Sequence, residues 1–379
     1  MAVRASSTRV KLGRSELRRY SRHLLIPEVG LAGQERLAAA RALVIGAGGL
    51  GSPACQYLAA AGVGRLGVMD DDEVDVTNLQ RQTIFSAADI GRKKAQVAAE
   101  RLQALNPSVA VDPIAVRFDA GNAREIVRLY DVVLDCTDRF RSRYLINDAC
   151  LLERKRDVYG SIFRFDGQVS VFGIAQSGCY RCLYPEPPPP GSVPTCAEGG
   201  VLGALAGIVG AWQASEALKL LLDIGEPLAG RLMLIDSFQG RTREVRFDPD
   251  PACVLCGVNP VVHDVVGLPE EAERSADGVT EIDATQLDDA LRGATLLDVR
   301  EAHEAVLGSL EASICIPATQ LEARMHELDS ARRYVVACRV GAKSLWAIER
   351  LREAGFERLL HLRGGLLAYA TQNAEFEFF

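Results

Sequence analysis

Two rhythms of apolar and polar positions share the chain up to Cys256. Short apolar runs bounded by turn residues alternate with stretches whose apolar positions recur at helical spacing. Leu43-Val44-Ile45 is one such run, followed by a glycine turn and the helical stretch SPACQYLAAAG. RLGVM leads to Asp70, and DVVLDCTD (131–138) reads as a buried strand ending in acids. Strands alternating with helices predict βαβ units and a parallel sheet. The most apolar run, GGVLGALAGIVGAW (199–212), is shorter than the ~18–20 residues of a membrane span. Gln213, Glu216 and Lys219 follow it, so it predicts a buried helix rich in small residues.

The rhythm breaks in NPVVHDVVGLPEEAERSADG (259–278), which is acidic, contains proline and reads as a linker. From Val279 a second α/β pattern of about 100 residues begins, enough for one small domain. TLLDVRE (295–301) and RYVVAC (333–338) predict strands, and a loop after Cys338 opens a helix that ends at Gly355. The predicted organisation is therefore residues 1–257, a linker at 258–278, and residues 279–379, with an α/β fold in both domains. No internal repeat is present, and Pro187–Pro190 is a stiff spacer on a loop.

Composition narrows the function classes. The 379 residues are 48% apolar and 25% charged, an ordinary balance for a globular protein. A net charge of −7 makes non-specific nucleic-acid binding a poor default. The first residues, MAVRASSTRVKLGRSELRRYSRH, lack the apolar segment of a signal peptide. No membrane or nucleic-acid partner is expected, and a cytoplasmic location is. The ten cysteines are then expected to be reduced, as metal ligands, nucleophiles or core residues.

The first domain carries nucleotide chemistry. Gly46, Gly48 and Gly51 fit G-x-G-x-x-G between a strand and a helix, where backbone N–H groups meet phosphates. Asp70, at the end of the next strand, suits a ribose. These features alone leave a nicotinamide-dependent oxidoreductase open. DDDEVDVTNLQRQTIF (70–85) and GRKKAQ (91–96) then add Arg81, Lys93 and Lys94, enough cations for a triphosphate. Asp138, at the end of DVVLDCTD, suits Mg²⁺ beside the phosphates. Singly, each of these reads equally well as a surface charge or a turn residue. Together they lie where open α/β sheets bind ligands.

From Arg18 to Cys256 the sequence resembles the MoeB/ThiF/HesA adenylating enzymes, bacterial relatives of ubiquitin-activating enzymes. The resemblance rests on RRYSRH (18–23), GAGGLGSPACQYLAAAGVG, DVTNLQRQ, CTD, YRC, TCAEGGVLG and VLCG. It implies a Rossmann-like adenylation domain with Gly49, Asp70, Asn78, Arg81, Lys94 and Asp138 at the ATP site. Thr77, Leu79, Gln80 and Arg139 are implied as further nucleotide positions. Arg139 stands where the family has Asn. Arg22 is implied to reach the phosphates of the other subunit of a homodimer. The implied reaction is adenylation of the C-terminal Gly-Gly of a ubiquitin-like sulfur carrier protein, with Arg81 and Lys94 stabilising charge at the α-phosphate.

The cysteines sort by spacing. Cys179 and Cys182 form one Cys-x-x-Cys, Cys253 and Cys256 another, and two such turns converging predict a closed structural Zn²⁺ site. Redox dithiols or buried thiols are the plainer alternatives. Cys196 stands alone near the start of the small-residue helix, a position that lowers a thiol pKa. The resemblance makes it a candidate for transient covalent contact with the activated carrier, and a loop thiol with no role is the other reading. Cys55, Cys136 and Cys150 sit in apolar patterns and are expected in the core.

Cys338 ends a strand and begins the loop Cys338-Arg339-Val340-Gly341-Ala342-Lys343, a cradle of N–H groups flanked by cations. Residues 279–379, including LRGGLLAYA (362–370), resemble a single-domain rhodanese, which implies Cys338 as a persulfide carrier. GSLEAS (308–313) departs from that family's usual Gly-His-Ile-Pro-Gly-Ala. The two resemblances together imply ATP-driven activation of the carrier, then sulfur transfer from a Cys338 persulfide to give a thiocarboxylate. The sulfur donor would be a cysteine desulfurase or thiosulfate. A non-catalytic rhodanese module beside an adenylation-only enzyme is the remaining alternative.

Overall fold

The computed structural model describes residues 11–188, 199–267, 279–306, 308–373 and 376. They fall into two compact units, one on each side of residues 268–278.

The first unit is built on an eight-stranded sheet in the order β3-β2-β1-β4-β5-β6-β7-β8. Its strands are β1 (Arg41–Ile45), β2 (Arg65–Met69), β3 (Ala110–Ile114), β4 (Val132–Asp135), β5 (Arg156–Phe163), β6 (Asp166–Phe172), β7 (Arg231–Asp236) and β8 (Arg241–Arg246). β1 to β5 are parallel neighbours, and β6, β7 and β8 add antiparallel. Parallel strands covered on both faces read as continuous apolar runs. Ala42 to Ile45 and Val132 to Asp135 are accordingly buried throughout. The helices that position the site are α1 (Gly51–Ala61), α2 (Lys94–Leu105), α3 (Phe140–Leu152) and α4 (Gly203–Leu222).

α4 is the small-residue run, and it ends with Asp223 in the left-handed region. Its small residues have a packing reason. A Cβ on Gly210 would lie 2.2 Å from the Leu50 carbonyl oxygen at the head of α1, so only glycine permits this helix crossing. Cys55, Cys136 and Cys150 are buried in the apolar cores on the two sheet faces. Burial pushes the Cys55 thiol up to about 12 and raises Cys136 and Cys150 well above the ordinary value. All three are neutral packing residues at neutral pH.

The second unit is a five-stranded parallel sheet, β11-β10-β12-β13-β9. Its strands are β9 (Thr280–Ile282), β10 (Thr295–Asp298), β11 (Ile314–Cys315), β12 (Tyr334–Ala337) and β13 (Leu359–Leu362). Helices α5 (Ala342–Glu353) and α6 (Gly365–Gln372) pack on it. α5 buries Leu345, Ile348 and Leu351 along one side, as the sequence spacing predicts. Among the described residues, no helix is long and apolar enough to cross a membrane.

Candidate functional site

Strand order in the first unit reverses between β1 and β4, where open α/β sheets leave a crevice at the carboxyl ends of their strands. A cleft opens there. It is lined by Gly46, Gly48 and Gly49 after β1, Asp70 after β2, Arg117 and Phe118 after β3, and Thr137, Asp138 and Arg139 after β4. Asn78, Arg81 and Lys94 complete one wall. The glycine turn is sterically obligatory. Gly46 has φ +93°, and a Cβ on Gly51 would lie 1.9 Å from the Gly46 carbonyl oxygen. That closeness brings the first turn of α1 against the cleft, where N–H groups and the helix dipole favour an anion.

The charges are arranged unevenly. Asp70 accepts from the Ala47 N–H (2.7 Å) and the Asp72 N–H (2.9 Å), which fixes its carboxylate at the rim. Burial pushes its carboxyl up, against the pull of Lys94 and of those two amides. A carboxylate can accept about four hydrogen bonds, so capacity remains for a ribose. Lys94 is buried at 5% exposure, with its Nζ 3.1 Å from Asp72, a carboxylate that is largely exposed. Arg81 donates to the Thr77 carbonyl oxygen at 3.0 Å, and its stem lies against Gly49. Asp138 makes no hydrogen bond or ion pair among the described residues. An unpaired carboxylate in a cation-lined cleft is the kind of donor a hard cation takes. Asp70, Asp71 and Asp72 form the group of clustered carboxylates at the rim.

Other predicted positions lie elsewhere. Thr77 is exposed and bonds Asp75, while Leu79 packs on the core. Gln80 is exposed, with its carbonyl oxygen against Gly203. Arg22 sits on the short helix Ser21–Leu24, outside the cleft of its own chain. Cys196 lies outside the described residues.

Sequence reasoning missed Gln82 and Arg143, both buried and both lining the cleft. The Gln82 Oε1 and the Arg143 Nε are buried without a hydrogen-bond partner. Arg143 does bond the Ser161 hydroxyl at 2.9 Å and stacks on Phe140 and Tyr159. Its signal was available, because it stands in the first turn of the helix that follows the CTD segment.

The two Cys-x-x-Cys turns converge. The sulfur separations are 3.9 Å (Cys179–Cys182), 3.7 Å (Cys179–Cys253), 3.3 Å (Cys182–Cys256) and 3.5 Å (Cys179–Cys256). A tetrahedral ion with Zn–S of ~2.3 Å requires S···S of ~3.8 Å, so the four thiols fit zinc. Burial raises Cys179, with the other three thiols adding to it, and burial is also the main push that takes Cys256 up to about 12. At Cys253 burial works against the thiolate, but the Cys256 and Leu255 amides and the Cys256 and Cys179 thiols together outweigh it. The knuckle is anchored to α3, because Asn147 accepts the Tyr180 N–H (2.9 Å) and Asp148 takes Arg181 in two parallel bonds (2.8 and 2.7 Å).

In the second unit Cys338 is buried at 1% exposure at the carboxyl end of β12. The Gly341 N–H donates to its sulfur at 3.1 Å, and the Ser344 hydroxyl lies 3.6 Å away. Gly341 has φ +101°, which turns its amide toward the sulfur. The expected cation at Lys343 is differently placed. Its Nζ lies 2.6 Å from Glu304, so its charge is compensated by a buried carboxylate.

A protein-family model described as "ThiF family" matches residues 20–255, more than half of the chain. The chain belongs to the ThiF family. A rhodanese-like domain matches residues 283–372. This ThiF-family chain is 43% identical to the "Probable adenylyltransferase/sulfurtransferase MoeZ" of Mycobacterium tuberculosis, over 95% of this chain and 94% of that one. It is 51% identical to the "Sulfur carrier protein adenylyltransferase" of Thermus thermophilus, over 67% of this chain and 95% of that one. Among solved structures, E. coli MccB aligns with a TM-score of 0.56 at 22% identity, covering 63% of this chain and 73% of that one. That likeness speaks to the fold alone.

Proposed function

We propose that this chain activates the C-terminal carboxylate of a ubiquitin-like sulfur carrier protein with ATP, then converts it to a thiocarboxylate with sulfur carried on Cys338. One observation carries the reading. A cation-lined cleft on a glycine turn and a cysteine held in an N–H cradle lie on one chain whose relatives are named adenylyltransferase and sulfurtransferase. The glycine fingerprint left an oxidoreductase open, and the family membership decides against it.

A carboxylate is a poor electrophile, and an acyl adenylate is a good one. In our reading the carrier carboxylate oxygen attacks the α-phosphorus of ATP and pyrophosphate leaves. Arg81 and Lys94 meet the charge that gathers on the phosphates, from positions already fixed by Thr77 and Asp72. Asp138 would hold Mg²⁺, which supplies further charge neutralisation. Asp70 orients the ribose. Arg22, exposed and outside its own cleft, would serve the partner's site in a homodimer. Cys179, Cys182, Cys253 and Cys256 would hold Zn²⁺ as a closed structural site, with no coordination position left for substrate.

The sulfur step follows from charge as well. The outer sulfur of a Cys338 persulfide projects ~2 Å beyond the buried Sγ. It attacks the acyl carbon, AMP leaves, and an acyl disulfide joins the carrier to Cys338. A second thiolate then attacks the Cys338 sulfur, releasing the thiocarboxylate and leaving a disulfide that an external thiol reduces. Cys196 is a candidate for that second thiol. A cysteine desulfurase or thiosulfate would reload Cys338 in a reducing cytoplasm.

The test combines two assays on one protein with a Gly-Gly carrier. Carrier-dependent ATP–pyrophosphate exchange is expected, as is a +16 Da carrier by mass spectrometry, about the mass by which sulfur exceeds oxygen. Nicotinamide binding without pyrophosphate exchange would overturn the reading.

A further inference from the structure

The segment that carries Arg22 is fastened on both sides of that residue. Tyr20 is 4% exposed, and its ring fills a notch beside Gly62, just past the tail of α1. Gly62 has φ +83°, and a Cβ there would lie 2.5 Å from the Tyr20 hydroxyl oxygen, so only glycine leaves room for the ring. The Asn106 side-chain amide donates to the Tyr20 hydroxyl (2.8 Å) and to the Ala59 carbonyl oxygen (2.7 Å). Arg19 donates to the Leu105 carbonyl oxygen at 3.1 Å. On the other side, the fully buried Gln34 donates to the Ala61 carbonyl oxygen (2.8 Å), and its amide oxygen lies 3.0 Å from the His23 Nδ1. Arg22, between these anchors, is exposed and makes no hydrogen bond or ion pair among the described residues.

All of these anchors lie at the tails of α1 and α2. α1 has 11 residues, so ~16 Å of helix separates its tail from the glycine turn at its head. That length keeps Arg22 out of the cleft of its own chain, which it does not line. The apolar residues that follow it stay in water: Leu25 is 71% exposed, Ile26 44% and Leu31 51%. A held cation beside exposed apolar side chains fits an interface with a second copy of this chain, whose cleft then receives Arg22. Holding the segment matters for binding. A long side chain on a loose segment loses backbone as well as rotamer freedom when it docks, and one on a fixed segment loses only the second.

We propose that Tyr20, backed by Asn106, is a positioning residue for adenylation in the other subunit: it holds the segment from which Arg22 meets the phosphates of ATP in a second copy's cleft. The proposal rests on the reading of Arg22 as a ligand in the partner's site, and it deepens it. Tyr20 itself touches no substrate, so its loss acts on a cleft that its own chain does not build.

The experiment uses full-length dimers assembled from two differently tagged chains and purified on both tags, with carrier-dependent pyrophosphate exchange as the readout. Arg81→Ala silences the cleft of the chain that bears it, so each mixed dimer has one working cleft. With Tyr20→Ala on the chain that keeps Arg81, the working cleft receives an intact segment from the other chain. Exchange should then match that of a dimer with Arg81→Ala on one chain and no other change. With Tyr20→Ala and Arg81→Ala on the same chain, the working cleft receives the loosened segment, and exchange should fall by about tenfold or more, the size of one lost hydrogen bond to a charged group. Adding Arg22→Ala to that chain should lower it no further, because Tyr20 acts through Arg22. Tyr20→Phe keeps the ring and drops the Asn106 bond, so it should show the same dependence on arrangement at about a few-fold. It carries the test if Tyr20→Ala does not fold. Equal losses in both arrangements, a further loss on adding Arg22→Ala, or a monomeric chain with full exchange would each overturn the proposal. If Arg22→Ala on the Arg81→Ala chain changes nothing, the reading of Arg22 fails and the proposal falls with it. If Arg22→Ala lowers exchange there and Tyr20→Ala does not, the role of Tyr20 alone is wrong.

Discussion

At the scale of single residues, the cleft shows which charges are already committed and which are free. Lys94 is oriented by Asp72, and Arg81 by the Thr77 carbonyl. Preorganised cations of this kind lose little on meeting a phosphate. Asp138 makes no such bond among the described residues, which is why we assign it the metal. Asp138→Ala should lower carrier-dependent pyrophosphate exchange by about 10²-fold or more while leaving the melting temperature within a few degrees. Wild-type exchange in that variant would move the metal to the Asp70, Asp71 and Asp72 group. Gly51 argues the opposite case, a residue whose value is the absence of a side chain. Gly51→Ala places a Cβ 1.9 Å from the Gly46 oxygen. Overpacking of this sort costs about 1–3 kcal/mol or opens the turn. Denaturant unfolding should report the first, and a weakened ATP titration the second.

At the scale of elements, α3 connects two sites within the first unit. Its first turn carries Arg143 to the cleft, and Asn147 and Asp148 further along hold the backbone and Arg181 of the cysteine knuckle. The knuckle therefore fixes the helix that forms one wall of the cleft. Structural zinc contributes folding free energy, and removing one ligand should cost several kcal/mol. Cys182→Ser should bind no zinc by metal analysis, and its melting temperature should fall by about 10 °C or more. ATP affinity should weaken with it. A metal-free protein with unchanged melting would show that the thiols pack without an ion.

At the scale of the whole molecule, two chemistries are separable on one chain. Each unit has its own sheet and its own buried cores: among the described residues, four apolar clusters lie around the eight-stranded sheet and its knuckle and two around the five-stranded sheet. Cys338→Ala should therefore keep pyrophosphate exchange and lose both thiosulfate sulfurtransfer and thiocarboxylate formation. Cys338→Ser should fail equally, since a hydroxyl holds no persulfide. Full thiocarboxylate yield from either variant, with no sulfide supplied, would remove sulfur transfer from the second unit.

The sequence by itself determined the features that are local or periodic. Apolar runs bounded by turns located β1, β2, β4, β10 and β12. The glycine turn located the cleft, and the paired cysteine spacing located the knuckle. Each of these is set by the backbone and by near neighbours, so it survives in one dimension. The tertiary structure decided what depends on groups far apart in the chain. The antiparallel extension by β6, β7 and β8 needed cross-strand pairing to be seen. So did the commitment of Lys343 to Glu304, 39 positions away, and the burial of Gln82 and Arg143 in the cleft wall. The contact between Glu281 and His361 was invisible for the same reason. Glu281 and His361 lie 80 positions apart and meet only because β9 and β13 pair in one register. Whether a charge is free or spent depends on the partner that folding delivers, and local composition carries no record of that partner.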